Sequence, residues 1–165
     1  MIEGRVWVFG DNISTDEITP GRFMDRIGVI PDEEWAKICF IDHEPRFHRE
    51  VEFGDIIVAG KNFGIGSSRE VAPLALKKAG IVCIIAQSLA RIFYRNCVNL
   101  GLPILTAGKE LMSAVKTFDA ISVDVDQGYI YIRKTTKKIQ ATPIPPFAKA
   151  IIASGGLLEY ANNQK

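Results

Sequence analysis

Three short apolar runs, DIIVAG (55–60), IVCIIA (81–86) and LPILTA (102–107), recur through the middle of the chain and restrict its fold more than any other feature. Each is too short for a buried helix and too continuously apolar to keep one face in water, so each reads as a strand covered on both sides. Between the first two lies a helical stretch, EVAPLALKKAG, which Gly80 stops; between the second and third lies LARIFYRNCVNLG, with Ser88 as its cap. Strand, helix, strand, helix, strand implies parallel neighbours joined by right-handed crossovers.

The flanks are plainer. GRVWVF (4–9) alternates like a strand and runs into GDNISTDEITPG, a loop rich in short polar side chains. DEEWAKIC (32–39) predicts a short helix with Asp32 as N-cap behind Pro31, and the RFMDRIGVI stretch before it has no period. Near the C-terminus AISVDV and YIYIRK flank Asp126-Gln127-Gly128 as a hairpin, IQATPI adds a strand, and PFAKAIIASGGLLEY is helical. The expected fold is α/β: a mostly parallel central sheet with flanking helices and a C-terminal β-hairpin region, all in one domain spanning residues 1–165.

A chain of 165 residues with 47% hydrophobic content buries roughly 68–70% of its unfolded surface, so no metal or disulfide staple is required. The net charge is +1 and basic residues are interspersed with acids, which argues against a nucleic-acid surface. No apolar run approaches the ~20 residues that span a bilayer, and MIEGRVWVFGDN has no basic region ahead of an apolar one; the expected location is cytoplasmic, without membrane contact. Cys39, Cys83 and Cys97 include no CxxC pair and are too few for a four-cysteine cluster, so they read as reduced, buried thiols. His43 and His48 do not share a helical face, and their polar surroundings predict a solvated loop; no metal site is expected.

Chemistry concentrates in GKNFGIGSSRE (60–70). A dinucleotide fingerprint fails because Arg69 stands where the third glycine belongs, no Walker lysine follows, and a GxSxG elbow fails because both serines come after the glycines. What remains is an anion site where a helix begins, with free N–H groups and the positive end of the dipole. The planar fork of Arg69 suits a carboxylate, and Ser67 and Ser68 add hydroxyls. Spacing alone leaves a plainer alternative, in which a serine caps the helix and Arg69 pairs with a surface acid.

KNFGIGSSREVAPLALKKAGI, with FGDNISTDEITPGRF upstream and ARIFYRNCVNLGLPIL and AIIASGGLLEY downstream, resembles the small subunit of 3-isopropylmalate dehydratase and the closely similar homoaconitase small subunit. These correspond to the swivelling domain of aconitase. The likeness covers most of the chain in the same order, and GSSRE is its most specific motif. The resemblance implies an aconitase-type swivelling domain and reversible removal and re-addition of water on a small hydroxy di- or tricarboxylate. It also implies a 4Fe-4S cluster held by a separate large subunit, without which this chain is inactive; when isolated, the chain has self-association open to it. By resemblance Ser67 is the catalytic base, and Ser68 and Arg69 hold a substrate carboxylate. Asp11, Thr15 and Asp16 frame the site from the upstream loop, where ordinary Asx-turn chemistry is the alternative.

Phe23, Met24, Asp25, Arg26 and Ile27 occupy the segment that varies with substrate side chain in this family. Here the chain departs from familiar patterns: Asp25 stands where homoaconitase-like members place an arginine, and Val71, Ala72 and Pro73 follow GSSRE where many isopropylmalate enzymes have histidine first. The expected reaction is interconversion of 3-isopropylmalate and 2-isopropylmalate in leucine biosynthesis. The alternatives are a homoaconitase or 2,3-dimethylmalate dehydratase small subunit, or a non-catalytic anion-binding module. Apolar Phe23, Met24 and Ile27 are expected to face the pocket, with Asp25 and Arg26 neutralising each other at its rim.

Overall fold

The computed structural model describes residues 1–165. The expected strands form as β1 (Ile2–Phe9), β2 (Ile56–Ala59), β3 (Cys83–Ala86), β4 (Ile104–Ala107), β5 (Ala120–Asp124), β6 (Tyr129–Ile132) and β7 (Lys137–Thr142). β1, β2, β3 and β4 are parallel neighbours. Every residue of β2 and β3 is buried, as strands covered on both faces must be. Short helices α1 (Thr15–Ile18) and α2 (Phe47–Glu50) lie between β1 and β2. The crossovers are α3 (Val71–Lys78) and α4 (Arg91–Asn99), and α5 (Lys109–Ala114) follows β4.

The mostly parallel central sheet does not hold. β7 pairs antiparallel with β4, β6 with both β7 and β5, and β5 with β1, so the strands close into a mixed barrel in the order β1-β2-β3-β4-β7-β6-β5. The hairpin region is the far wall of that barrel. Closure depends on β1 changing partners: Ile2–Arg5 pairs with β5, and Val6–Phe9 pairs with β2. Beside the changeover the backbones meet closely, and a Cβ on Gly4 would lie 2.0 Å from the Gly54 carbonyl oxygen.

Three local expectations also change. Ala90, not Ser88, holds the cap position of α4, because the Ser88 hydroxyl accepts the Asn62 N–H at 2.8 Å. Residues 32–38 wind as a 3-10 helix behind Pro31, with no side-chain cap from Asp32, and residues 21–26 form a second 3-10 turn. The C-terminal helical stretch breaks at Gly155 and Gly156, both at positive φ, into α6 (Pro146–Ala153) and α7 (Leu157–Asn163). No helix is long and apolar enough to cross a membrane.

The partner change in β1 is pinned by one carboxylate. Asp55, 2% exposed, accepts Arg5 Nε at 3.0 Å, Arg5 Nη2 at 2.9 Å, Trp7 Nε1 at 2.9 Å and the Glu52 N–H at 2.9 Å. Burial works against its charge, but the Arg5, Glu52 and Trp7 donors together outweigh that cost and hold the carboxyl below its ordinary range. A depressed carboxylate pKa contributes stability that is present above the unfolded value and is lost as pH falls through the folded one. Asp55→Ala should therefore cost roughly 3 kcal/mol at neutral pH, the partial exposure of Arg5 keeping the loss at the low end for a broken buried pair. In urea titrations the gap between wild type and variant should narrow below about pH 4; a gap independent of pH would show that the charge of Asp55 contributes nothing.

Candidate active site

Two loops leave the same end of adjacent parallel strands, residues 10–14 after β1 and residues 60–70 after β2. Because Phe9 pairs with Ala59, the loops continue side by side. Asp11 Oδ1 accepts the Lys61 N–H at 2.7 Å, Asn62 Nδ2 donates to Asn12 Oδ1 at 2.8 Å, and the Gly64 N–H donates to the Ile13 carbonyl at 2.7 Å. The Thr15 N–H then donates to the Ile65 carbonyl at 2.8 Å. A capping box closes the first loop onto α1: Ser14 Oγ accepts the Glu17 N–H at 3.2 Å, and the Glu17 carboxylate accepts the Ser14 N–H at 2.6 Å. The backbone makes left-handed turns at Gly64 (φ 81°) and Gly66 (φ 108°). At Gly64 glycine is required twice over, since a Cβ there would lie 2.2 Å from the Phe93 ring.

Beyond these turns the chain exposes the N–H groups of Gly66, Ser67 and Ser68, none of which has an acceptor within the chain. The serines do not cap α3, which starts at Val71 with Glu70 in the cap position. Ser68 Oγ has no partner, and the one hydrogen-bond partner of Ser67 Oγ is Thr15 Oγ1 at 3.5 Å. Arg69 does pair with an acid: its Nη1 donates to Asp16 Oδ1 at 3.2 Å and to the Thr19 carbonyl at 3.3 Å. Half of the plainer sequence alternative therefore holds. Nε and Nη2 of Arg69 remain unbonded.

A cavity of about 510 Å³ opens beside this turn, with Ile27, Trp35, Ser68, Arg69, Val71 and Leu74 among its walls. Thr15, Asp16, Ser67, Ser68 and Arg69 thus come together, while the Asp11 carboxylate is committed to Lys61. In the variable segment Ile27 reaches the cavity, whereas Phe23 and Met24 are half-buried against the core. Asp25 and Arg26 do not neutralise each other: Asp25 forms no ion pair, and the Arg26 guanidinium lies over the Phe23 ring, 4.9 Å from its centroid. Two features escaped the sequence reading, the Thr19 carbonyl that holds Arg69 and the Asn12–Asn62 pair between loops. The sequence reading also took GDNISTDEITPG as a loop throughout, whereas α1 starts within it behind a capping box whose signal is the three-residue spacing of Ser14 and Glu17.

The cysteines do not fit iron–sulfur ligation. Cys39, Cys83 and Cys97 are unpaired and fully buried, and burial pushes the Cys83 thiol up to about 12 and the other two well above the ordinary value. Cluster ligands are thiolates, which such burial suppresses. No group of three or more His, Cys, Asp or Glu side chains is placed to hold a metal, and His43 Nδ1 lies 3.2 Å from the Glu17 carboxylate.

Comparison with known proteins converges on one family. The aconitase C-terminal domain model matches residues 24–109. The chain is 49% identical to the 3-isopropylmalate dehydratase small subunit of Halothermothrix orenii, covering 96% of this chain and 93% of that one. It is 47% identical to the same subunit of Caldanaerobacter subterraneus subsp. tengcongensis, covering 99% of both. Among solved structures, 3-isopropylmalate dehydratase from Methanocaldococcus jannaschii matches with a TM-score of 0.91 at 39% identity, over 99% of this chain and 94% of that one.

The geometry of the turn is testable without any ligand. Gly64→Ala forces an L side chain into the left-handed region and against Phe93, and should cost about 2–4 kcal/mol in denaturant unfolding. A loss below 1 kcal/mol would mean that the turn relaxes around the added methyl group.

Proposed function

The chain belongs to the 3-isopropylmalate dehydratase small-subunit family, and we propose that it is the small subunit of a hydro-lyase interconverting 3-isopropylmalate and 2-isopropylmalate for leucine synthesis. Aconitase-family membership makes this an iron–sulfur enzyme. On this reading the cluster sits on a large partner subunit, since the cysteines of this chain do not fit it, and the active site forms only when that subunit covers the cavity. Residues 1–165 act as one swivelling domain, in the cytoplasm, where unpaired cysteines stay reduced.

The observation that carries the proposal is the division of labour within Arg69. Nη1 is occupied by Asp16 and Thr19, which leaves Nε and Nη2 unbonded on a residue that lines the cavity together with Ser68. That edge matches a carboxylate bidentately. Asp16 supports Arg69 rather than touching substrate, and Asp11 braces the loop through Lys61. With a substrate carboxylate on Arg69 and Ser68, Ser67 takes the proton from the adjacent carbon. A serine hydroxyl is far too weak an acid to form this base unaided; the unpaired N–H groups of Gly66, Ser67 and Ser68 are the donors that stabilise negative charge on the turn.

The substrate's variable end follows from the cavity wall. Ile27 supplies apolar surface, and no unpaired cation of residues 21–27 lines the cavity to read a third carboxylate, which favours the branched dicarboxylate over homoaconitate.

Each role has its own kinetic signature once the large subunit is present. Ser67→Ala should lower kcat by about 10²–10⁴-fold with little change in thermal stability; near-normal turnover would move the base elsewhere, Ser68 first. Arg69→Lys should raise KM for 3-isopropylmalate about 10–100-fold, because an ammonium cannot reproduce the fork. Ile27→Ala should raise KM about fivefold, the worth of roughly 1 kcal/mol of apolar contact, and an unchanged KM would remove Ile27 from substrate recognition.

A further inference from the structure

Thr15 lies beneath the serine turn rather than in the cavity. It is 2% exposed and opens α1, with its N–H held by Ile65 at 2.8 Å and its carbonyl accepting the Thr19 N–H at 2.9 Å and Thr19 Oγ1 at 3.2 Å. Backbone and β-branched side chain are both stiff there. Its hydroxyl oxygen is 3.2 Å from the Ser67 carbonyl oxygen and 3.5 Å from Ser67 Oγ. The approach is close enough that a Cβ on Gly66 would lie 3.2 Å from the same oxygen. A threonine hydroxyl has a single proton and serves one of these acceptors at a time. Ser67 is exposed and its Oγ has no other hydrogen-bond partner in the chain, so a small rotation brings the pair of hydroxyls into ordinary range.

We infer that Thr15 is a positioning residue for Ser67: its O–H donates to the Ser67 carbonyl, orienting the turn, and turns to donate to Ser67 Oγ, without losing its proton, when that oxygen carries negative charge. The inference rests on Ser67 being the base. A purely structural threonine needs only the contact to the carbonyl. A donor to the charged oxygen also makes Ser67 easier to deprotonate, and this has a kinetic consequence that folding alone does not.

The test uses the assembled two-subunit enzyme with Thr15→Val and Thr15→Ser, each alone and combined with Ser67→Ala, reading kcat, KM, the pH profile of kcat and the melting temperature. Thr15→Val should lower kcat about 10–30-fold, as expected for losing a hydrogen bond to a charged group, with KM within about twofold. The acid limb of its kcat profile should move to higher pH, because the base is harder to form. Thr15→Ser should recover most of the rate, and Thr15→Val should add no further loss to Ser67→Ala. Thr15→Ala is measured alongside, so that a fold defect peculiar to valine does not decide the outcome. Wild-type kcat in both hydroxyl-free variants, with Ser67→Ala inactive, would overturn the role of Thr15 and leave the base in place. An equal further loss in the Ser67→Ala background would also overturn it, by showing that Thr15 acts through the fold. Full turnover by Ser67→Ala would remove the base itself and this inference with it.

Discussion

Four donors converge on the carboxylate of Asp55: two from Arg5, one from Trp7 and the N–H of Glu52. Arg5 and Trp7 flank the point where β1 leaves β5 and joins β2, and Asp55 directly precedes β2. The clamp therefore sets the register Val6 to Ile56, and a parallel register set at one end is inherited at the other, where Phe9 meets Ala59. A one-residue slip would turn the buried face of β1 outward and move Asp11 away from Lys61. The site depends on a polar contact at the opposite end of the strands that carry it.

What the register delivers is two loops that pair as a short continuation of the sheet and then diverge. Asn12 and Asn62 both take left-handed conformations, which asparagine tolerates, and bond each other through their side chains. Gly64 and Gly66 then turn the chain so sharply that successive N–H groups point away from any internal acceptor. Unpaired donors and left-handed turns together oppose stability, and such features persist where the surrounding structure over-determines them. Here the over-determination comes from Phe93 packed on Gly64, from the Ile13 and Ile65 backbone bonds, and from the capping box on α1.

The strands were legible because a doubly covered strand has to be apolar throughout, and DIIVAG, IVCIIA and LPILTA show that directly. Their parallel order was legible for the same reason. Closure was not, since it lies in one strand serving two partners and in β7 reaching β4, pairings that leave no periodic mark on either segment. Ser88 does not cap α4 because its hydroxyl accepts the Asn62 N–H, a donor from the loop after the neighbouring strand β2 and 26 positions away in sequence. GSSRE was legible as residue types, yet the partner that aims Arg69 stands 53 positions away in Asp16. Arg26 and Ile27 are neighbours with opposite fates, and a 3-10 turn, lacking the 3.6-residue stripe of an amphipathic helix, gives no pattern from which to tell them apart.

On the role proposed for Arg69, an acid beside it would ordinarily oppose a substrate carboxylate, and the hydrogen bonds of Asp16 bear on that tension. Its Oδ1 takes Nη1 of Arg69, the same group that donates to the Thr19 carbonyl, so the charge of Asp16 is engaged with one nitrogen of the guanidinium while Nε and Nη2 keep their hydrogens free. The same oxygen accepts the Gly21 N–H at 2.7 Å, at the start of the 3-10 turn that leads to Ile27. A side chain at Gly21 would crowd both partners, with a Cβ 3.0 Å from Asp16 Oδ1 and 3.4 Å from Arg69 Nη2. One carboxylate oxygen thus joins Arg69, proposed to read the substrate's constant carboxylate, to the segment carrying Ile27, proposed to read its variable branch. On those proposed roles, any shift of that segment to fit a different branch would pull on the acceptor that holds Arg69, and the two halves of recognition would adjust together.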